Sequence, residues 1–134
     1  MPSTNQQLAA IFQRMADIMQ ILGEDGFRVN AFQKIARVLD DLSQDVGDIG
    51  PDPKALTQID GVGKGAAERI VEFIETGHIK EHEELLAKVP PGLPALLNVP
   101  GLGPKTIALL WKEAGVESAE DLKKKLAGDE LASI

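Results

Sequence analysis

Ile59-Asp60-Gly61-Val62-Gly63 and, forty residues later, Val99-Pro100-Gly101-Leu102-Gly103 are the same phrase written twice. The flanks repeat as well: Ala55-Leu56 aligns with Ala95-Leu96, and Ile70 with Leu110. Each copy is an apolar residue, a Gly-x-Gly turn and then an amphipathic segment. The glycines permit positive φ and a close backbone approach. Val62 and Leu102, set between them, are placed to plug each turn into the core. A two-glycine turn just ahead of a helix exposes backbone N–H groups at the positive end of the helix dipole, an arrangement suited to a phosphate oxygen. A lone Gly-x-Gly is weak evidence, but the same element at a constant offset with matching flanks is considerably stronger. The plainer alternative is a pair of helix-linking turns that only pack.

Outward from the turns, the periodicity is helical throughout. Leu8, Ile11, Phe12, Met15, Ile18, Met19 and Leu22 recur at steps of three and four, which predicts a first helix. Ser3, Thr4 and Asn5 offer N-caps, and Gly23 a stop. A second helix buries Phe32, Ile35, Ala36, Leu39 and Leu42. The acidic stretch ending Gly47-Asp48-Ile49-Gly50-Pro51-Asp52-Pro53 reads as a linker. A short helix over 55–59 leads into the first turn. The helix after that turn runs to Thr76, with Ala67, Ile70, Val71, Phe73 and Ile74 on its apolar side and Gly77 as its C-terminal cap. Residues 79–89 form a further helix, ended by Pro90-Pro91-Gly92. The second unit repeats the plan with a short helix over 93–98, a turn at 100–103 and a helix over 104–114. A last helix starts near Ser118, where Asp121 completes a capping-box-like pair. No window alternates with period two. The expected fold is all-α, in two small lobes at 1–90 and 91–134, each with one turn.

Composition narrows the function classes. The 134 residues are 43% hydrophobic, which fits a globular chain. Aromatics are few (Phe12, Phe27, Phe32, Phe73 and Trp111), so the core is mostly aliphatic. There is no Cys, which excludes disulfides and thiolate zinc sites. No apolar run approaches the ~20 residues that cross a bilayer, so no membrane association is expected. The N-terminus lacks the basic and apolar regions of a signal peptide, so the cytoplasm is the expected compartment. The formal charge of −7 works against a nucleic-acid binder, whose nonspecific affinity comes from Lys and Arg. Distribution matters more. Residues 27–39 carry Arg28, Lys34 and Arg37 and no acid, and residues 99–112 carry Lys105 and Lys112 and no acid. Residues 40–52 carry five Asp and no base. The bases are thus expected near the turns and the acids elsewhere. His78 and His82 sit at metal-ligand spacing but lack a third ligand, so both are expected as exposed helix-terminal residues.

The repeated unit has the form of a helix-hairpin-helix motif, and its second copy matches better because Pro100 precedes the first glycine. Taken with Gly26-Phe27-Arg28-Val29-Asn30-Ala31-Phe32, the first helix, and the stretches from Ile59 to Ile70 and from Val99 to Thr106, the chain resembles the N-terminal region of family X DNA polymerases, especially the bacterial type. The resemblance covers almost the whole chain in the family's order. It implies a small helical domain holding the downstream side of gapped DNA near a 5′-phosphate, followed by a subdomain gripping primer-side duplex. The residues implied to contact DNA are Arg28, Lys34, Gly61, Gly63, Lys64, Gly65 and Arg69 in the first lobe, and Gly101, Gly103, Lys105 and Thr106 in the second. It also implies a monovalent cation, K⁺ or Na⁺, at each hairpin. The carbonyls of Thr57, Ile59 and Val62 would hold one, and those of Leu97, Val99 and Leu102 the other.

The departures from the family are specific. Some members are lyases that form a Schiff base through a Lys, and Arg69 stands at that position. A guanidinium stays protonated and cannot be that nucleophile. Arg28 replaces a phosphate-binding Lys and Phe32 a Tyr. A lyase would need Lys64 as a substitute amine. The carboxylate pair that holds Mg²⁺ for nucleotidyl transfer is absent, so Mg²⁺ belongs to a catalytic part outside this chain and a fragment is expected. The expected activity is sequence-independent DNA binding by a monomer in gap-filling repair. The alternatives are a lyase using Lys64 and a protein-interaction module. The second turn, with Lys105 and no nearby acid, is the stronger expected grip on a DNA backbone, because Asp60 stands at the mouth of the first.

Overall fold

The computed structural model describes residues 3–127, and among them the secondary structure is helical, with no strand. Residues 128–134, the end of the expected second lobe, lie outside the described residues. Helix α1 (Thr4–Leu22) begins on Ser3, whose side chain accepts from the Gln6 amide while the Gln6 side chain accepts from Ser3 N–H. This reciprocal box satisfies two donors that a helix start leaves orphaned. Gly23, at φ +77°, ends α1. Asp25 then caps α2 (Gly26–Asp41) by accepting from the Phe27 amide at 3.0 Å.

The acidic stretch, expected as a linker, carries short helices. It holds α3 (Val46–Ile49) and α4 (Pro53–Thr57), each started by an aspartate that accepts amide protons, Asp45 and Asp52. Pro53 at the first position of α4 starts that helix two residues before the expected 55, because its φ is already helical. Asn5, read in the sequence as a cap candidate, instead ties α3 to α1. Its amide donates to the carbonyl of Gln44 at 2.8 Å, and its oxygen accepts from the Val46 amide at 2.9 Å. Asn5 is buried, so these bonds satisfy groups that water cannot reach.

Helix α5 (Lys64–Thr76) follows the first turn and ends at Gly77, φ +80°. Helix α6 (Lys80–Leu86) is shorter than the expected 79–89. A 3₁₀ turn, Pro94–Asn98, leads into the second turn and α7 (Pro104–Ala114), which ends at Gly115, φ +69°. In α8 (Ala119–Ala127) Ser118 Oγ accepts from the Asp121 amide, while the Asp121 carboxylate accepts from the Glu117 amide.

Helix α1 is the axis of the core. Leu8, Met15, Ile18, Met19 and Ile21 are fully buried where it packs against α2, α6 and α7. Phe12 meets Phe32 of α2 with ring centroids 5.8 Å apart. Val89, Leu93, Leu96, Ile107 and Leu110 join the same buried cluster. Position 90 therefore separates the two turns along the chain but not the core beneath them. No helix of the described residues is long and apolar enough to cross a membrane.

Candidate functional site

The two glycine turns share one hydrogen-bond pattern. The Ile59 carbonyl accepts from the Val62 amide at 3.0 Å, and the Val99 carbonyl from the Leu102 amide at 3.1 Å. Gly61 and Gly101 take φ +91° and +87° at the third position, the mark of a type II turn. Gly63 and Gly103 are different: both are extended N-caps, at φ −87° and −92°. A Cβ at either would meet nothing within 4 Å, so neither N-cap position is crowded. No side chain caps either helix. Three amides (Lys64, Gly65 and Ala66) start α5. Pro104 has no N–H, which leaves Lys105 and Thr106 at the start of α7.

Their surroundings differ. A Cβ on Gly61 would lie 2.9 Å from Val38 Cγ2, so the first turn presses on α2, whereas Gly101 meets nothing within 4 Å. A cavity of about 300 Å³ lies where the first turn and α5 meet α1 and α2. Lys34 of α2, Gly61 and Gly63 of the turn, and Gly65 and Arg69 of α5 line it together with Phe12 and Phe32. Lys64 is exposed at the first position of α5 and is not among the cavity's lining residues. Gly101, Gly103, Lys105 and Thr106 belong to the second turn, also away from the cavity.

Arg28 and Arg69 converge beside this cavity, 53 and 12 residues respectively from the acid that joins them. Arg28 Nη2 lies 2.6 Å from Glu81 Oε1, and Arg69 Nη2 lies 2.7 Å from Glu81 Oε2. Arg28 Nη1 also pairs with Glu24 at 2.9 Å, and Arg69 Nη1 donates to the Gly65 carbonyl at 3.0 Å. Both guanidiniums stand over the Phe32 ring, at 5.8 and 5.0 Å from its centroid, within cation–π range. Burial raises the Glu81 pKa, but hydrogen bonds and charge from Arg69 and Arg28 outweigh it and hold the carboxyl below its ordinary 4.5. The expected segregation of charges fails at this point: Glu24 and Glu81 stand inside the basic patch. Lys34 makes no ion pair among the described residues.

Two further residues depart from expectation. Phe27, beside Arg28 at the start of α2, is 87% exposed, a large apolar face with no core role. His82 is not an exposed terminal residue. It is half-buried, with Nε2 buried and without a hydrogen-bond partner. Burial, helped by the Arg14 charge, lowers its pKa below 6.5. His78 is exposed, 3.6 Å from Glu83. Among the described residues, no group of three or more His, Asp or Glu is arranged to hold a metal ion.

A family model described as a helix-hairpin-helix domain matches residues 3–79, and one described as a SAM-like helix-hairpin-helix tandem matches residues 93–134. The DNA polymerase/3′-5′ exonuclease PolX of Bacillus subtilis (strain 168) is 35% identical over 89% of this chain and 20% of its own length. DNA polymerase lambda of Arabidopsis thaliana is 29% identical over 92% of this chain and 22% of its own length. The rat DNA polymerase lambda is 37% identical over 48% of this chain and 11% of its own length. The chain thus spans about a fifth of the first of these relatives. It belongs to the helix-hairpin-helix domain family and is homologous to the N-terminal region of family X DNA polymerases.

Proposed function

We propose that this chain binds DNA without regard to sequence, through backbone phosphates, as the N-terminal part of a family X DNA polymerase acting in repair. The observation that carries the reading is the shared geometry of the two turns. Each has the same hydrogen bond, the same positive-φ glycine and a helix start with no side-chain cap behind an uncrowded N-cap glycine. Oriented amides attract phosphate oxygens, and this supplies binding that a chain of net charge −7 cannot draw from Lys and Arg alone. Lys64 and Lys105 stand at these helix starts to add charge.

The preferred substrate is gapped DNA bearing a 5′-phosphate. Lys34, Arg28 and Arg69 would face the phosphate, and the exposed Phe27 ring would stack on an unpaired base. A K⁺ or Na⁺ ion at each hairpin would add a bridge to phosphate. The first would sit on the carbonyls of Thr57, Ile59 and Val62, the second on those of Leu97, Val99 and Leu102. The Ile59 and Val99 carbonyls each accept one amide and keep a second lone pair for such an ion. Lys64 lies outside the cavity's lining and Arg69 cannot form a Schiff base, which favours binding over lyase chemistry.

Fluorescence anisotropy at low salt tests the reading with gapped, nicked and intact duplexes. Gapped DNA with a 5′-phosphate is expected to bind most tightly, with an affinity that falls steeply as salt rises. Phe27→Ala should lose the preference for the gap and keep duplex binding. Absence of binding to every duplex at high micromolar protein would reject the reading.

A further inference from the structure

Glu81 divides its two oxygens between two guanidiniums, Oε1 to Arg28 at 2.6 Å and Oε2 to Arg69 at 2.7 Å. That is how two arginines share one oxyanion. The phenyl ring of Phe32 lies within cation–π range of both guanidiniums. Glu24 takes the remaining edge of Arg28 at 2.9 Å. Two guanidiniums and two carboxylates leave the cluster with no net charge. The pair best placed to attract an anion is therefore already holding one.

We propose that Glu81 is a resident occupant of an anion site, a built-in competitor that must leave before Arg28 and Arg69 can hold a phosphate group. The proposal rests on reading those two arginines as a phosphate-binding pair. Glu81 is suited to leave. It is the second residue of the seven-residue helix α6, on a long side chain that rotates without moving the backbone. Its side chain is 27% exposed and that of Arg28 is 41% exposed, so solvent screens the pairs it would break. A competitor of this kind also selects. A terminal phosphate brings up to two charges and three free oxygens, against one charge and two oxygens on a carboxylate or a backbone diester. The former displaces Glu81 more readily than the latter. Arg69 Nε is buried without a hydrogen-bond partner, so the guanidinium has donor capacity left when the slot changes occupant.

Inorganic phosphate tests this on the whole chain without requiring DNA. The Nε–H signals of Arg28 and Arg69 would be followed by NMR as phosphate is added to the wild type and to Glu81→Gln. The half-saturation concentration should fall in Glu81→Gln by roughly two- to thirty-fold, as expected when two partly exposed ion pairs no longer compete. In the wild type, the Glu81 side-chain carboxylate signal should shift together with the arginine signals. A parallel arm measures gapped DNA with a 5′-phosphate against the same DNA with a 5′-hydroxyl, where Glu81→Gln should tighten the first more than the second. Tighter phosphate binding without any DNA binding would uphold the competitor and reject the DNA reading. Equal or weaker phosphate binding by a folded Glu81→Gln would overturn the proposal, whatever the DNA arm shows. Should that variant not fold, the wild-type carboxylate decides. A Glu81 signal that stays in place while the arginines bind phosphate overturns the proposal.

Discussion

Gly61 and Gly101 occupy equivalent places in their turns and unequal places in the protein. Both hold positive φ, which costs an L-residue about 1–2 kcal/mol. At Gly61 a Cβ would also collide with Val38 at 2.9 Å, whereas at Gly101 it would meet nothing within 4 Å. Gly61→Ala should therefore lower unfolding free energy in a denaturant titration by about 2–4 kcal/mol, strain and overpacking combined. Gly101→Ala should cost about 1 kcal/mol. Equal costs would mean that the α2 contact is not felt. His82 gives a pH prediction. Its pKa is lowered in the folded state by burial and then by Arg14, so the unfolded chain binds its proton more readily. Stability should be full above the ordinary 6.5 and fall as pH drops from there toward the lower folded value. His82→Gln should flatten that slope in thermal unfolding measured between pH 5 and 8. Residues such as these were only partly legible in the sequence. The repeated glycines announced the turns, since nothing else writes Gly-x-Gly twice with matching flanks. Nothing local announced Glu81, which meets Arg28 across 53 residues of chain. Charge segregation in sequence does not foretell segregation in space.

Elements were most legible where caps and periodicity agree. Ser3 and Gly23, both read as caps, frame α1, and α7 spans the expected 104–114. The acidic stretch departs from its expected linker character, which rests on its Gly and Pro content. Asp45 and Asp52 nonetheless start short helices there, and α3 is held by tertiary bonds from Asn5 that no window of sequence contains. Those bonds give the prediction for this scale. Asn5→Leu keeps the branched shape, though with bulkier methyl groups, and leaves the buried Val46 amide without its acceptor and the part-buried Gln44 carbonyl without its donor, which should cost about 2–4 kcal/mol. Hydrogen exchange at Val46 should quicken in that variant more than exchange in the middle of α1. A uniform change along the chain would mean that Asn5 does not act as a local clamp.

Across the whole molecule, α1 carries the fold, since one buried cluster gathers residues from both turn-bearing halves around it. The two helix starts are thereby fixed on a common scaffold, which suits contact with one polymer at two places. Amide NMR during titration with gapped DNA bearing a 5′-phosphate tests that double contact. The largest shifts are expected at Lys64, Gly65 and Ala66 and at Lys105 and Thr106, with both groups moving at the same DNA concentration and both effects fading at high salt. Shifts confined to one turn, or centred on faces remote from both, would contradict it.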